Sequence, residues 1–154
     1  MLTLSNKVNR KVVVNLKDKI KTFKSLTVSA GFPKDSSETN STNEGVTALE
    51  KAVWNNFGIG VPERPFMDIA YATNKAKYRK LILKALSRID TLNQIKFLND
   101  LGIEAVGDIQ NTLVSLKNPP NAESTIALKG SNNPLIGKDA HMWGSVTYQV
   151  KKVG

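Results

Sequence analysis

His141 is the single histidine of this chain and the first residue to ask for chemistry. An imidazole that relays a proton to a serine needs the hydroxyl and an orienting carboxylate to converge on it. Asp139 and Ser145 are near in sequence, but steps of two and four residues at the entry to a strand do not orient a relay. His141 therefore reads as a surface or elbow residue. One histidine among scattered carboxylates also lacks metal-ligand spacing. With no cysteine there is no thiolate nucleophile, no disulfide and no Cys-ligated zinc. Gly58-Ile59-Gly60 has the glycines of a phosphate loop, yet no Gly-Lys-Ser/Thr follows and the segment leaves a helical pattern, not a strand. A helix C-cap is the better reading. These residues predict no catalytic, cofactor-binding or metal-binding site, hence no enzyme and no cofactor.

Trp54, Phe57 and Phe66 could stack on nucleic-acid bases. Their helical spacing makes them core residues instead. Glu63 and Arg64 stand between Pro62 and Pro65. A charged pair on a stiff, exposed elbow has little entropy to lose on docking. An inter-subunit ion pair is one expectation; a solvated loop pair worth about 0–1 kcal/mol is the other. The stretch from Trp54 to Phe66 thus reads as a helix end, a glycine-rich exit and a proline-stiffened entry to the next helix. Trp54, Phe57, Pro62, Glu63, Arg64, Pro65 and Phe66 are the candidate assembly-interface elbow.

The net charge of +9 over 154 residues is uneven. Residues 1–24 carry seven basic residues against Asp18 alone. Lys75, Lys77, Arg79, Lys80, Lys84 and Arg88 follow one another with no acid between them. Two basic stripes could face DNA, a membrane or an acidic protein; two solvated helix faces are the alternative. No helix-turn-helix, zinc-finger or RNA-motif signature accompanies them, so sequence-specific reading of nucleic acid is not expected.

The elements that must position these residues follow from periodicity. Leu4, Val8, Val12, Leu16, Ile20 and Phe23 predict a helix over 4–23. Residues 25–32 alternate as a strand, which Pro33 ends. Residues 34–45 hold no apolar anchor and are expected to be a flexible loop. Thr47 and Glu50 form a capping box that opens a helix over 48–57, with Leu49, Val53, Trp54 and Phe57 buried and Gly58 as its stop. A long helix follows over 66–89. A second capping box, Thr91 and Gln94, opens a helix that runs to Leu116, with a break conceivable at Asp100-Leu101-Gly102. Ser124–Leu128 could make a helical turn. Trp143 to Val150 alternates as a second strand. The expectation is one α+β domain over 1–154: a small antiparallel sheet packed against several helices. No apolar run approaches the ~18 residues that cross a bilayer, and no signal peptide is evident.

Three segments resemble one family. Trp54-Asn55-Asn56-Phe57-Gly58 with Val61-Pro62-Glu63-Arg64-Pro65-Phe66 is similar to a W/x-N-E-F-G … I-P-x-R-P-F pattern. Pro119-Pro120-Asn121 through Thr125-Ile126 to Lys129-Gly130 is similar to P-P-L-x-x-x-T-I-x-x-K-G. Asn133-Pro134-Leu135-Ile136 with Ser145-Val146-Thr147-Tyr148-Gln149-Val150 is similar to P-L-I-D-T-G-x-L-x-x-S-I-T-Y-x-V. In this order they resemble the tail-completion and head–tail joining (neck) proteins of tailed bacteriophages. This chain departs at Asn56, where the family often has Glu, and at Gly137-Lys138-Asp139, where it often has Asp-Thr-Gly. The resemblance implies a structural virion protein placed at the neck, and the lack of an evident signal peptide or spanning run adds the expectation that it is made in the host cytoplasm. The resemblance implies a homo-oligomeric ring, commonly a hexamer, that meets adjacent neck, tail-terminator or tail-tube proteins. It implies neither enzyme activity nor cofactor, and no membrane. A tail terminator or a head-closing stopper ring is the near alternative; a small basic nucleic-acid-binding protein is the further one. In a ring, Lys75, Lys77, Arg79, Lys80, Lys84 and Arg88 could line a channel for packaged DNA.

Overall fold

The computed structural model describes residues 10–32, 46–89, 92–138 and 140–152, with backbone alone for 10–14. The order of elements is α1 (Arg10–Lys24), β1 (Leu26–Gly31), α2 (Ala48–Phe57), α3 (Phe66–Leu86), α4 (Gln94–Ser115), α5 (Glu123–Lys129), α6 (His141–Gly144) and β2 (Thr147–Lys152). The fold is α+β, as the periodicities predict. β1 and β2, from opposite ends of the chain, pair antiparallel with Leu26 opposite Lys152 and Gly31 opposite Thr147. They make a two-stranded sheet. Among the described residues both outer edges of this sheet are unpaired.

α4 is the central support, packed against α3 on one side and both strands on the other. Its contact with β2 is close at Gly102, where a Cβ would run into the ring of Tyr148. The helix continues through Gly102 without a break, because the missing side chain is what lets the tyrosine lie against it. Phe66, Ala70, Ile109, Leu113, Leu135, Met142 and Val146 form the core together with Ala52. Phe32 meets Phe66 edge-on, at 6.1 Å and 85° between rings. α1 joins through Phe23, tilted against Phe97 at 6.2 Å, and through the Gln94 side-chain amide, which donates to the Lys19 carbonyl at 2.7 Å.

Local chemistry sets the helix ends. The Thr47 hydroxyl accepts from the Glu50 N–H, and the Glu50 carboxylate accepts from the Thr47 N–H, closing the predicted capping box. The Thr47 N–H, and after it the Thr47 hydroxyl, which donates to the same carboxylate at 2.9 Å, hold the Glu50 carboxyl below its ordinary value. At the start of α4 the cap is Asn93, whose side chain accepts from the Lys96 N–H at 3.0 Å; Thr91 lies outside the described residues. So do residues 4–9 of the predicted first helix and the loop at 34–45.

Two expectations need correction. Trp143 and Gly144 do not begin the second strand. They belong to α6, a single turn closed by the Gly144 N–H to Ala140 and the Ser145 N–H to His141, and pairing starts only at Thr147. Trp54 and Phe57 are not core residues either: they are 37 % and 66 % exposed. The buried row of α2 is Ala48, Ala52 and Asn56. Small side chains at i, i+4 let the helix lie close to the body, and the aromatics are turned outward.

Candidate functional site

The elbow between α2 and α3 is built around one buried cation. Gly58 turns the chain at φ 69° and ψ 33°, and both its N–H and that of Ile59 close on the Trp54 carbonyl. A Cβ on Gly58 would stand 3.0 Å from the Cβ of Glu63, so glycine permits the chain to fold back here. The return strand of the elbow is then tied to α2: the Arg64 N–H donates to the Asn55 carbonyl at 2.7 Å.

The Arg64 side chain is 1 % exposed. Its Nε donates to the Pro119 carbonyl at 2.8 Å and its Nη1 to Asn55 Oδ1 at 2.9 Å. Its Nη2 donates to the Pro120 carbonyl at 3.2 Å and to Asn121 Oδ1 at 3.0 Å. All four acceptors are uncharged. The ion pairs formed among the described residues involve Lys77 and Lys96, not Arg64. Burial pushes the guanidinium pKa down, but an arginine starts too high to lose its proton. The charge is met by carbonyl and amide dipoles arranged around the planar fork. The Asn118–Pro119 peptide within the receiving turn is cis. The expectation of an exposed Glu63–Arg64 pair is therefore half right: Glu63 is exposed, whereas Arg64 is sunk into the protein.

The adjacent asparagine has a separate task. Asn56 Oδ1 accepts from the Met67 N–H at 3.1 Å. The N-cap residue of α3 is Pro65, which offers no side-chain cap, so α2 supplies one across the elbow. Phe66, fully buried, then anchors the first turn of α3 in the core. Among the elbow candidates Arg64 and Phe66 hold the shape from within, Pro65 is half-buried, and Trp54, Phe57, Pro62 and Glu63 are displayed. Ile59 and Val61, which periodicity did not single out, are displayed beside them at 54 % and 38 %.

The turn that receives Arg64 is linked onward. Asn121 Nδ2 donates to the Pro134 carbonyl at 3.5 Å, and Lys129 Nζ donates to the same carbonyl at 2.8 Å. Asn133 Oδ1 accepts from the N–H groups of Leu135 and Ile136, while its Nδ2 donates to the carbonyls of Leu113 and Val114 at the end of α4. The segment at 54–66 is thus joined to a second stretch more than 50 residues on, where 119–130 and the neighbouring 133–136 are bonded to each other, and the three form one connected scaffold. Among the described residues no buried side-chain nitrogen or oxygen is left without a partner. Asn55, Asn121 and the carbonyls of Pro119 and Pro120 escaped sequence reasoning. The Pro-Pro pair stands in the second motif, but nothing in a motif says that its backbone carbonyls receive a side chain from the first.

The basic candidates do not share one face. At about 100° per residue along a helix, Lys75 and Arg79 lie on one flank of α3 and Lys80 and Lys84 on the opposite flank. All four are exposed, as is Arg88 in the turn after the helix. Lys77 points to α4, where Nζ donates to Asp108 Oδ1 at 2.7 Å and to Glu104 at 3.1 Å. Burial opposes its charge, but these carboxylates prevail and raise its pKa. The Tyr78 hydroxyl donates to the other oxygen of Asp108 at 2.7 Å. Burial first, then that hydrogen bond, pushes the phenol above its ordinary value. This cluster fastens α3 to α4 and is occupied in doing so.

Of the relay weighed around His141, Asp139 lies outside the described residues, and the Ser145 hydroxyl is turned to the backbone. Its Oγ donates to the His141 carbonyl at 2.8 Å. Among the described residues no group of three His, Asp or Glu side chains could hold a metal ion, and no helix is long and apolar enough to cross a membrane. Set against protein-family models, curated proteins and solved structures, the chain matches none.

Proposed function

We propose that this chain is a structural component of the neck of a tailed bacteriophage, a tail-completion subunit that works as a ring where tail joins head. The observation that carries the reading is the scaffold around Arg64. The first motif of the resemblance is bonded to the second through Arg64, Pro119, Pro120 and Asn121, and the second to the third through Lys129, Asn121 and Pro134. Residues that matter singly would have no reason to interlock; residues that define one shape would. The scaffold displays Trp54, Phe57, Ile59, Val61 and Pro62 on a stiff loop, which suits a subunit that works by contact. Its partners are copies of itself and the adjacent neck, terminator or tail-tube proteins. Terminator and stopper rings remain the neighbouring readings. A general nucleic-acid binder is less favoured, since the basic residues of α3 divide between two flanks and Lys77 is engaged by two carboxylates.

The test is negative-stain microscopy of a lysate from phage carrying a stop codon in this gene. Filled heads beside unattached tails of normal length are expected. Over-long tails would assign a terminator, and emptied heads a stopper. Ordinary infectious particles would overturn the neck reading.

A further inference from the structure

The outer face of α3 carries side chains that the fold does not use. Ile69, Ala72, Ala76, Leu83 and Leu86 succeed one another at steps of three, four and seven residues, and all five are exposed. Such a stripe on a surface helix ordinarily faces the core. Here the inward face is already supplied by Phe66, Ala70 and Ala85. The helix is thus apolar on two sides, and the second side has Lys75 along one edge, Arg79 in the row of Ala72 and Leu86 beside that edge, and Lys80 and Lys84 along the other. No acid lies between residues 75 and 89; Asp68, exposed in the first turn, is the acid at the N-terminal end of the Lys75 edge.

We propose that this face docks an acidic amphipathic helix of a partner protein. The apolar stripe would bury against the partner's apolar face, and the two basic edges would meet carboxylates on either side of it. Charge complementarity decides the occupant. A second copy presenting the same face would set lysine edges against lysine edges, so self-association through α3 is disfavoured. DNA would leave the apolar centre facing phosphates and water, with nothing gained from Leu83 or Leu86. A lipid surface would need bulk along the middle of the face, where this helix has Ala72 and Ala76. Small residues there form a shallow trough in which another helix can approach closely, with Ile69 at one end and Leu83 and Leu86 at the other.

The test uses the whole chain and a synthetic helical peptide of about 20 residues, leucine on one face with glutamate along both borders. Its twin carries lysine in place of glutamate. Fluorescence anisotropy is expected to show the acidic peptide binding about tenfold or more tighter than the twin. Leu83→Ser, and separately Arg79→Glu combined with Lys80→Glu, are each expected to weaken it by about tenfold. These side chains are on the surface, so the core is untouched. Equal affinity for the two peptides would overturn the proposal. So would loss in the charge variant with none in Leu83→Ser, which would leave only diffuse attraction. Tighter binding to a short DNA duplex, or to phosphatidylcholine–phosphatidylglycerol vesicles, than to the acidic peptide in the same salt would also overturn it.

Discussion

Arg64 shows what a single buried charge can organise. Each of its three nitrogens has an acceptor, and the acceptors come from α2 and from the Pro119–Asn121 turn. Arg64→Ala would strand four oxygens, and unsatisfied buried groups cost about 1–3 kcal/mol each before relaxation and water entry. A net loss of about 3 kcal/mol or more is expected in urea denaturation. Arg64→Lys is not expected to rescue it, because one ammonium cannot span acceptors laid out for a planar fork. Two glycines in one helix make a sharper contrast. Gly107→Ala meets nothing within 4 Å, and removing helix-interior glycine should stabilise by about 0.5–1 kcal/mol. Gly102→Ala gains the same propensity but drives a methyl into the Tyr148 ring. It should destabilise, and parallel melts of the two variants would show opposite signs.

Between elements, the Lys77–Asp108–Tyr78 cluster makes the α3–α4 contact sensitive to alkali. Both Lys77 and Tyr78 have raised pKa values in the folded state. The stabilisation is therefore complete below the unfolded value, about 10 for tyrosine, and is lost as pH rises above it, since the unfolded chain releases its protons first. Tyr78→Phe should flatten the fall in stability above about pH 10, read as denaturation midpoints across a pH series. The helices, by comparison, were largely legible in advance. Thr47, Glu50 and Gly58 bounded α2 where it is found, and apolar spacing located α3 and α4. Which face of α2 turns inward was not legible. Trp54 and Phe57 have core-like spacing, but Ala48, Ala52 and Asn56 share a row that packs closer, and only the partner surface decides between the rows. Arg64 was legible as important and misread in role. Its acceptors include two carbonyls some 55 residues away in sequence, and no pattern of residue types announces them.

At the scale of the molecule, holding the elbow and displaying it are separate tasks assigned to different residues. Phe57, 66 % exposed, contributes little to the core. Phe57→Asp should leave the denaturation midpoint near that of the parent while failing to restore infectious particles to a phage lacking the gene. Arg64→Ala should lower both. Equal restoration by Phe57→Asp would remove the displayed aromatics from the assembly surface. The same division has a consequence for descent. Asn55, Arg64 and Asn121 form one donor–acceptor set, so a change at any of them leaves the others worse off than before. Mutational drift at one position is selected against until the others follow. Related chains should therefore keep the three together or exchange them together, while positions 57, 59 and 61 diverge at the pace of whatever they touch.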